Sequence, residues 1–391
     1  MPFRIVIDVR RIRDFGIGTY IRNLIAALSK LDNVNQYVLV CRREDLSETA
    51  GLPHNFTQAT YPRSDTSRAD HLAFPFFLRQ FSADLCHIPL NAVPIFMPKP
   101  YVVTVHDMSS LLFERPSGWE ESLRYYRFRR GLLRADRVIA VSDATRRDVE
   151  NMVGVPAAKI RMIHSAPDPR FLSQSASPTA RAAGPEAREL ERRRILERYQ
   201  IHYPYLLYAG TIRQQKNIPR LVEAFAVLRG ELESHPVYKD LRLIIIGDEI
   251  SRYPQVRQAV MQTRVEPVVR FLGFIPFDTM RIFYEAAAAF VFPSLYEGFG
   301  LPPLEAMACG TPVVSSNVSS LPEVLGDAAM IVNPENVFDI SRGIREVLLD
   351  VSLQESLRKR GYQQCARFSW ERTARQVLET YLDVIARKPA P

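Results

Sequence analysis

An α/β fold of two Rossmann-like halves is what this sequence predicts, from three features: β-branched runs alternating with helical patterns, a second occurrence of that alternation, and a length of 391 residues. Short strands alternating with helices mark βαβ units and mainly parallel sheets. A chain this long exceeds the usual size of a single core and divides into domains. The first series runs through FRIVIDV (3–9), YVLVC (37–41), DLCHI (84–88), YVVTV (101–105), RVIAVS (137–142) and KIRMIH (159–164), with helical patterns near 18–31, 119–134 and 142–152. The second runs through YLLYAG (205–210), LRLIIIG (241–247), VVRFLGF (268–274), AFVFPS (289–294), TPVVSS (311–316) and AMIVNP (329–334), with helix-like segments between them. From Leu172 to about Tyr199, Ser, Ala and Pro give way to a dense charge run, which predicts a linker or surface insertion carrying a short solvated helix at 186–199. The expected boundaries are therefore 1–171, 172–199, 200–368 and 369–391. Ligands of such sheets bind at the carboxyl ends of the strands, so the expected site is a cleft between the halves.

Composition narrows the class. With 47% hydrophobic and 24% charged residues the chain reads as a soluble globular protein. No apolar run approaches the roughly 20 residues of a spanning helix. The start, MPFRIVIDVRRIRDFG, lacks a basic lead, an apolar h-region and a cleavage site, so the expected location is cytoplasmic. Cys41, Cys86, Cys309 and Cys365 lie far apart with no C-x-x-C pairing and read as reduced, structural thiols. The formal charge of +8 is concentrated in RYYRFRRGLLRADR (124–137), where six arginines face one aspartate beside Leu123, Tyr125, Tyr126, Phe128, Leu132 and Leu133.

The stretch YEGFGLPPLEAMACGTP (296–312) carries the most chemistry. AFVFPS ends as a strand, and Pro302 and Pro303 pre-set the start of a helix, since the first helical turn does not need their missing N–H groups. The remaining free amides, with the helix dipole, suit an anion such as phosphate. Gly298 and Gly300 let backbone approach a ligand closely. Glu297, on the loop, is placed to accept hydrogen bonds from sugar hydroxyls, and Glu305, one turn into the helix, to reach a ribose diol. Taken alone, a Pro-Pro-Leu-Glu helix start is more simply a glutamate complementing the dipole; the whole stretch is more specific than that.

Other candidates are weaker by themselves. Gly16-Ile17-Gly18 follows the first strand and opens a helix, but it lacks the third glycine of the dinucleotide fingerprint, and a plain turn explains it equally. His106 closes YVVTVHD at a strand's carboxyl end, where Asp107 either orients it or caps the following turn. The basic residues of GTIRQQKN (210–217) gain meaning from the strand and glycine before them.

Taken together, the run E-G-F-G-L-P-P-L-E-A-M-A-C-G-T-P-V from Glu297, the glycine loop at 16–20, His106-Asp107, VSDATRRDV (141–149), GTIRQQKN and FSWERTA (368–374) resemble the E-x7-E signature and flanking motifs of the retaining glycosyltransferases of family 4, across nearly the whole chain. The resemblance implies the GT-B fold, with two Rossmann-like domains facing across a cleft. The first would bind acceptor and the second the nucleotide-sugar, and the helix after about residue 369 would cross back to the first. It implies that Glu297, aided by Phe299 and Gly300, holds the transferred sugar and acts with His106 in catalysis. Glu305 would hold the ribose. Arg213, Lys216, Gly16, Gly18 and Leu301 would hold the donor diphosphate, the leaving group whose charge grows in the transition state. One departure stands out: many relatives carry Arg-Lys-Asn where this chain has Gln215-Lys216-Asn217, its arginine standing earlier at Arg213.

The implied reaction is transfer of a hexose from a nucleotide diphosphate sugar, the co-substrate, to a hydroxyl of a glycan or lipid-linked acceptor, with GDP-mannose ahead of UDP-linked sugars as donor. No D-x-D occurs, so neither a metal nor another cofactor is expected. The 124–137 stretch is a candidate contact for an anionic membrane surface. Nucleic acid is not an expected partner, although a nucleic-acid-binding protein would use the same helix with Tyr125, Tyr126 and Phe128 stacking on bases. A non-catalytic nucleotide-binding regulator, or a related sugar-nucleotide epimerase or phosphorylase, would use the same scaffold.

Overall fold

A computed structural model describes residues 2–63, 69–90, 93–113, 119–172, 185–248 and 250–387. The chain divides into two compact units: 1–166 with 368–391, and 167–367. The segment 172–199 falls in the second unit; its residues 173–184 lie outside the described ones, and a helix spans Pro185–Arg198.

The first unit holds a seven-stranded sheet of β1 (Arg4–Asp8), β2 (Gln36–Cys41), β3 (Phe56–Thr60), β4 (Leu85–Ile88), β5 (Tyr101–Val105), β6 (Arg137–Ala140) and β7 (Ile160–Met162), in the order β3-β2-β1-β4-β5-β6-β7. Every pairing is parallel. All five side chains of β5 are buried, which is why YVVTV reads as a continuous run rather than an alternation: helices cover both faces of a parallel sheet. β3 does not stand out in the sequence. FTQAT is a partly exposed edge strand with a single buried residue, so it lacks the apolar run of its neighbours.

The helix Trp370–Ala386 packs on the first helix, Ile17–Leu31, within this unit. Trp370, Ala374, Val377, Tyr381 and Ile385 are buried at helical spacing. Ser369 caps the helix by accepting from the Arg372 amide. Thr373 donates to the His164 carbonyl at 2.7 Å, and Glu379 pairs with Arg161.

The second unit repeats the plan with six strands: β8 (Tyr205–Ala209), β9 (Arg242–Ile246), β10 (Val269–Gly273), β11 (Ala289–Phe292), β12 (Val313–Ser316) and β13 (Met330–Val332), ordered β10-β9-β8-β11-β12-β13 and wholly parallel. Strand order reverses direction between β8 and β11, and ligands of open α/β sheets bind at the carboxyl ends beside such a switch point. Both motif loops of this unit, 210–217 and 294–300, leave those two strands.

Candidate functional site

The two switch-point loops are joined by three consecutive residues. The Gln215 carbonyl accepts from the Leu295 amide at 2.7 Å; Lys216 Nζ lies 2.6 Å from Glu297 Oε1; and the Asn217 amide group donates to the carbonyls of Pro293 (3.0 Å) and Pro334 (2.7 Å). Asn217 takes a left-handed conformation (φ 60) at the start of the helix Ile218–Leu232, a geometry that asparagine tolerates better than most residues. Gln215 is buried, while Arg213 is exposed. Asn217 therefore fastens the loop, Gln215 contributes backbone, Arg213 stays at the surface and Lys216 turns inward to Glu297.

The pair Lys216–Glu297 is largely desolvated, with side chains 16% and 10% exposed. Glu297 is held from behind. Its carbonyl accepts the hydroxyls of Ser319 and Ser320, and its amide donates to Ser319 Oγ at 3.2 Å. Ser319 sits at φ 58. Sequence inspection missed this serine pair, because its position behind Glu297 comes from the packing of the helix Leu321–Leu325, not from spacing. The loop then turns through Gly300 at φ 99, where an added Cβ would stand 2.8 Å from Leu321 Cδ2. Gly300 thus serves backbone shape and packing on Leu321.

Leu301 begins the helix Leu301–Ala308 with Pro302 in its first turn. Glu305 is buried on that helix, and the hydroxyl of Tyr284 donates to its Oε2 at 3.3 Å. Tyr284 is a third residue that inspection missed; burial raises its phenol well above the ordinary tyrosine range, so it stays a donor. Phe299 is buried beside these groups in the chain.

Close contact also shapes the exit of β8. A Cβ at Gly247 would run into the Gly210 carbonyl, Gly210 itself sits at φ 150, and the Gly247 amide donates to the Gly273 carbonyl. The ends of β8, β9 and β10 are thus drawn together by backbone alone.

The remaining candidates belong to the first unit. Gly16 starts the first helix at φ 67 with open space where a Cβ would be. Gly18 is different: a Cβ there would collide with the Ile12 carbonyl, so its lack of a side chain lets the helix pack on the Arg11–Ile12 turn. His106 leaves β5, places Nε2 3.1 Å from the Pro89 carbonyl, and meets the Tyr20 ring edge-on at 4.8 Å. A carbonyl only accepts, so the neutral ring carries its proton on Nε2. Burial pushes His106 down to about 4 against the opposing pull of Asp107. Asp107 Oδ1 accepts from the Ser109 amide (2.9 Å) and hydroxyl (2.7 Å), so of the two roles open to it the aspartate takes the second: it caps the turn.

His87 is wholly buried and pushed to about 3, chiefly by burial and secondarily by His106. Both histidines are therefore neutral in the folded protein and charge readily only when it unfolds. Between pH 6.5 and about 4 the unfolded chain binds the extra protons, so stability rises with pH through that window and is lost as pH falls, by up to about 1.4 kcal/mol per pH unit for each histidine. Urea unfolding at pH 7, 6 and 5 checks this; a midpoint independent of pH would refute it.

In the basic stretch, the helix Trp119–Arg134 turns Phe128 and Leu132 into the core, Tyr125 donates to the Met152 carbonyl, and Tyr126 stays 49% exposed with Arg129 and Arg130. The Arg124 side chain lies outside the described residues. Three rings stacking on bases is not the arrangement found, since Phe128 is buried and Tyr125 is engaged. Among the described residues, no helix is long and apolar enough to cross a membrane.

Two Rossmann-like units, with the last helix returned to the first, form a GT-B glycosyltransferase architecture. A solved sucrose-phosphate synthase from Thermosynechococcus elongatus superimposes with a TM-score of 0.75 over 98% of this chain and 99% of that one, at 21% identity, a likeness of fold. Residues 16–171 match the model described as Glycosyltransferase Family 4, and residues 192–364 the model described as Glycosyl transferases group 1. The O-antigen chain mannosyltransferase B of Escherichia coli is 34% identical over 78% of this chain and 75% of its own length. The serotype-specific mannosyltransferase WbdA of Escherichia coli is 30% identical over 63% of this chain, which spans only 29% of that longer protein. The chain belongs to the family 4, group 1 glycosyltransferases.

Proposed function

We propose that this glycosyltransferase moves mannose from GDP-mannose to a hydroxyl of a glycan or lipid-linked acceptor in cell-surface polysaccharide assembly, with retention of anomeric configuration and without a metal. The observation that carries the reading is the Lys216–Glu297 pair, held on two switch-point loops at the start of the helix that bears Glu305. Mannose as the sugar is supported by the mannosyltransferase relatives.

In this reading Lys216 exchanges its carboxylate partner for the donor diphosphate, with Arg213 beside it and the Leu301 end of the helix facing the anion. Glu297, released, accepts from sugar hydroxyls next to Phe299 and Gly300, and Glu305, steadied by Tyr284, takes the ribose diol. Glycosidase-type double displacement requires a carboxylate nucleophile about 5 Å from its acid partner. The reading instead has the departing phosphate take the acceptor proton on the same face, while surrounding charges support the oxocarbenium-like state. The reading assigns His106, neutral with its proton on Nε2, a catalytic role at the reacting carbon, as the family resemblance implies.

Thermal unfolding with GDP, UDP and ADP, and with their sugar conjugates, tests the donor. A ligand at 100 times its Kd stabilises the fold by about 2.7 kcal/mol. GDP and GDP-mannose are expected to raise Tm, equally with and without EDTA. A shift with UDP alone would replace the donor, and a shift abolished by EDTA would overturn metal independence.

Exposed Tyr126, Arg129 and Arg130, with outward Leu72 and Phe76 in the same unit, support contact with anionic lipid. Flotation with phosphatidylglycerol vesicles is expected to retain the protein at low salt and release it at high salt; no retention on any vesicle would remove the membrane from the proposal.

A further inference from the structure

The first unit contains a run of polar side chains sealed in its core that the reaction above does not use. The Tyr381 hydroxyl, on the terminal helix, lies 2.6 Å from His87 Nδ1; His87 Nε2 lies 2.8 Å from Thr104 Oγ1; and Thr104 Oγ1 lies 3.3 Å from the Tyr20 hydroxyl. Tyr381, His87 and Thr104 are 0% exposed and Tyr20 is 1% exposed. The run therefore joins the terminal helix, β4, β5 and the first helix. Burying such groups in an apolar core is unfavourable unless each finds a partner, and apolar side chains would fill the same space without that demand.

The run ends against His106. The Tyr20 ring meets the His106 ring edge-on at 4.8 Å and the Trp370 ring of the terminal helix at 5.7 Å. His106 is also supported by the Pro89 carbonyl, two residues beyond His87 at the exit of β4. Thr104, at the centre of the run, precedes His106 by two residues on β5. These two contacts of the ring, with Tyr20 and with the Pro89 carbonyl, trace back to the same buried network.

We propose that Tyr381, His87, Thr104 and Tyr20 are positioning residues that transmit the seating of the terminal helix to the ring of His106. The inference rests on His106 acting at the reacting carbon. A neutral imidazole donates through one nitrogen and accepts through the other, so His87 gives opposite roles to the two hydroxyls it touches, those of Tyr381 and Thr104. Loss of one hydroxyl leaves its neighbours unpaired in the core, and the ring at the end shifts.

The test uses the full chain labelled with 15N-histidine, reading the His106 imidazole resonances, assigned by their loss in His106→Ala, together with GDP release from GDP-mannose. Tyr381→Phe and Thr104→Val remove hydroxyls at nearly constant volume, and Thr104→Ser keeps one. Both removals are expected to move the His106 resonances and to lower kcat about tenfold while KM for GDP-mannose stays within about twofold, an interaction made for the transition state. Thr104→Ser is expected to match the wild type in both readouts. Unmoved His106 resonances in folded Tyr381→Phe and Thr104→Val, or equal losses in Thr104→Ser and Thr104→Val, would overturn the proposal. Should Tyr381→Phe fail to fold, Tyr20→Phe gives the same reading from the other end. Full turnover in His106→Ala would overturn the catalytic assignment and the proposal with it, whereas an inactive His106→Ala beside fully active Tyr381→Phe and Thr104→Val would overturn the network alone.

Discussion

Glu297→Ala is expected to lower kcat by about 100- to 1,000-fold while the Kd for donor changes by less than about tenfold, the range for losing one preorganised group that acts on transition-state charge. The carboxylate is preorganised in a specific sense: Ser319 and Ser320 hold its backbone, and Lys216 Nζ waits 2.6 Å away. Removing it also leaves Lys216, only 16% exposed, without its counter-charge. A largely buried cation without its partner is destabilising, so part of the loss will appear as a lower urea midpoint. Glu297→Gln separates the two effects. It keeps the shape and a hydrogen-bonding group near Lys216 but removes the charge, so it should recover much of the stability and little of the turnover. Steady-state kinetics with donor titration checks this; kcat within about threefold of wild type in Glu297→Ala would take Glu297 out of the chemistry.

Gly247→Ala is expected to destabilise the second unit by roughly 2–3 kcal/mol, in the range of overpacking a rigid site. The methyl would meet the Gly210 carbonyl, which is backbone and unable to swing aside. Because Gly210 opens the loop ending in Lys216, the shift should weaken GDP binding as well as folding. For a unit of this size each kcal/mol is roughly 2–4 °C in Tm. Gly230→Ala is the control: that glycine is exposed within the helix Ile218–Leu232, nothing stands where its Cβ would be, and alanine there should gain about 1 kcal/mol in helix propensity. Calorimetry on both variants decides it. A Gly247→Ala protein as stable as wild type, with unchanged GDP affinity, would contradict the close-packed strand ends.

Legibility differed by element. The buried parallel strands announced themselves because both faces are covered, so YVVTV and AFVF are apolar at nearly every position. Edge strand β3, with mostly exposed side chains, gave no such signal. The turn at 296–303 was visible because glycine and proline are demanded by local backbone geometry, and Gly300 does take φ 99. Gly18 carried the same letter for another reason, room for the Ile12 carbonyl, and no local pattern distinguishes the two. The cysteines and the 124–137 stretch were read from composition; the structure adds that Phe128 and Leu132 face the core, so fewer apolar groups of that helix reach the surface than its sequence suggests.

By itself the sequence determined the two-fold α/β plan, the loops that carry the charged candidates, and the family motifs, because each depends on residue type within one turn or one strand. Only the tertiary structure decided which residues serve which others: that Lys216 meets Glu297, that Ser319, Ser320 and Tyr284 stand behind the two glutamates, that Asp107 caps a turn, and that Tyr381 reaches His87 from 294 positions away. Those partners are brought together by strand order and helix packing, whose contacts are long-range in sequence and leave no periodic trace along the chain.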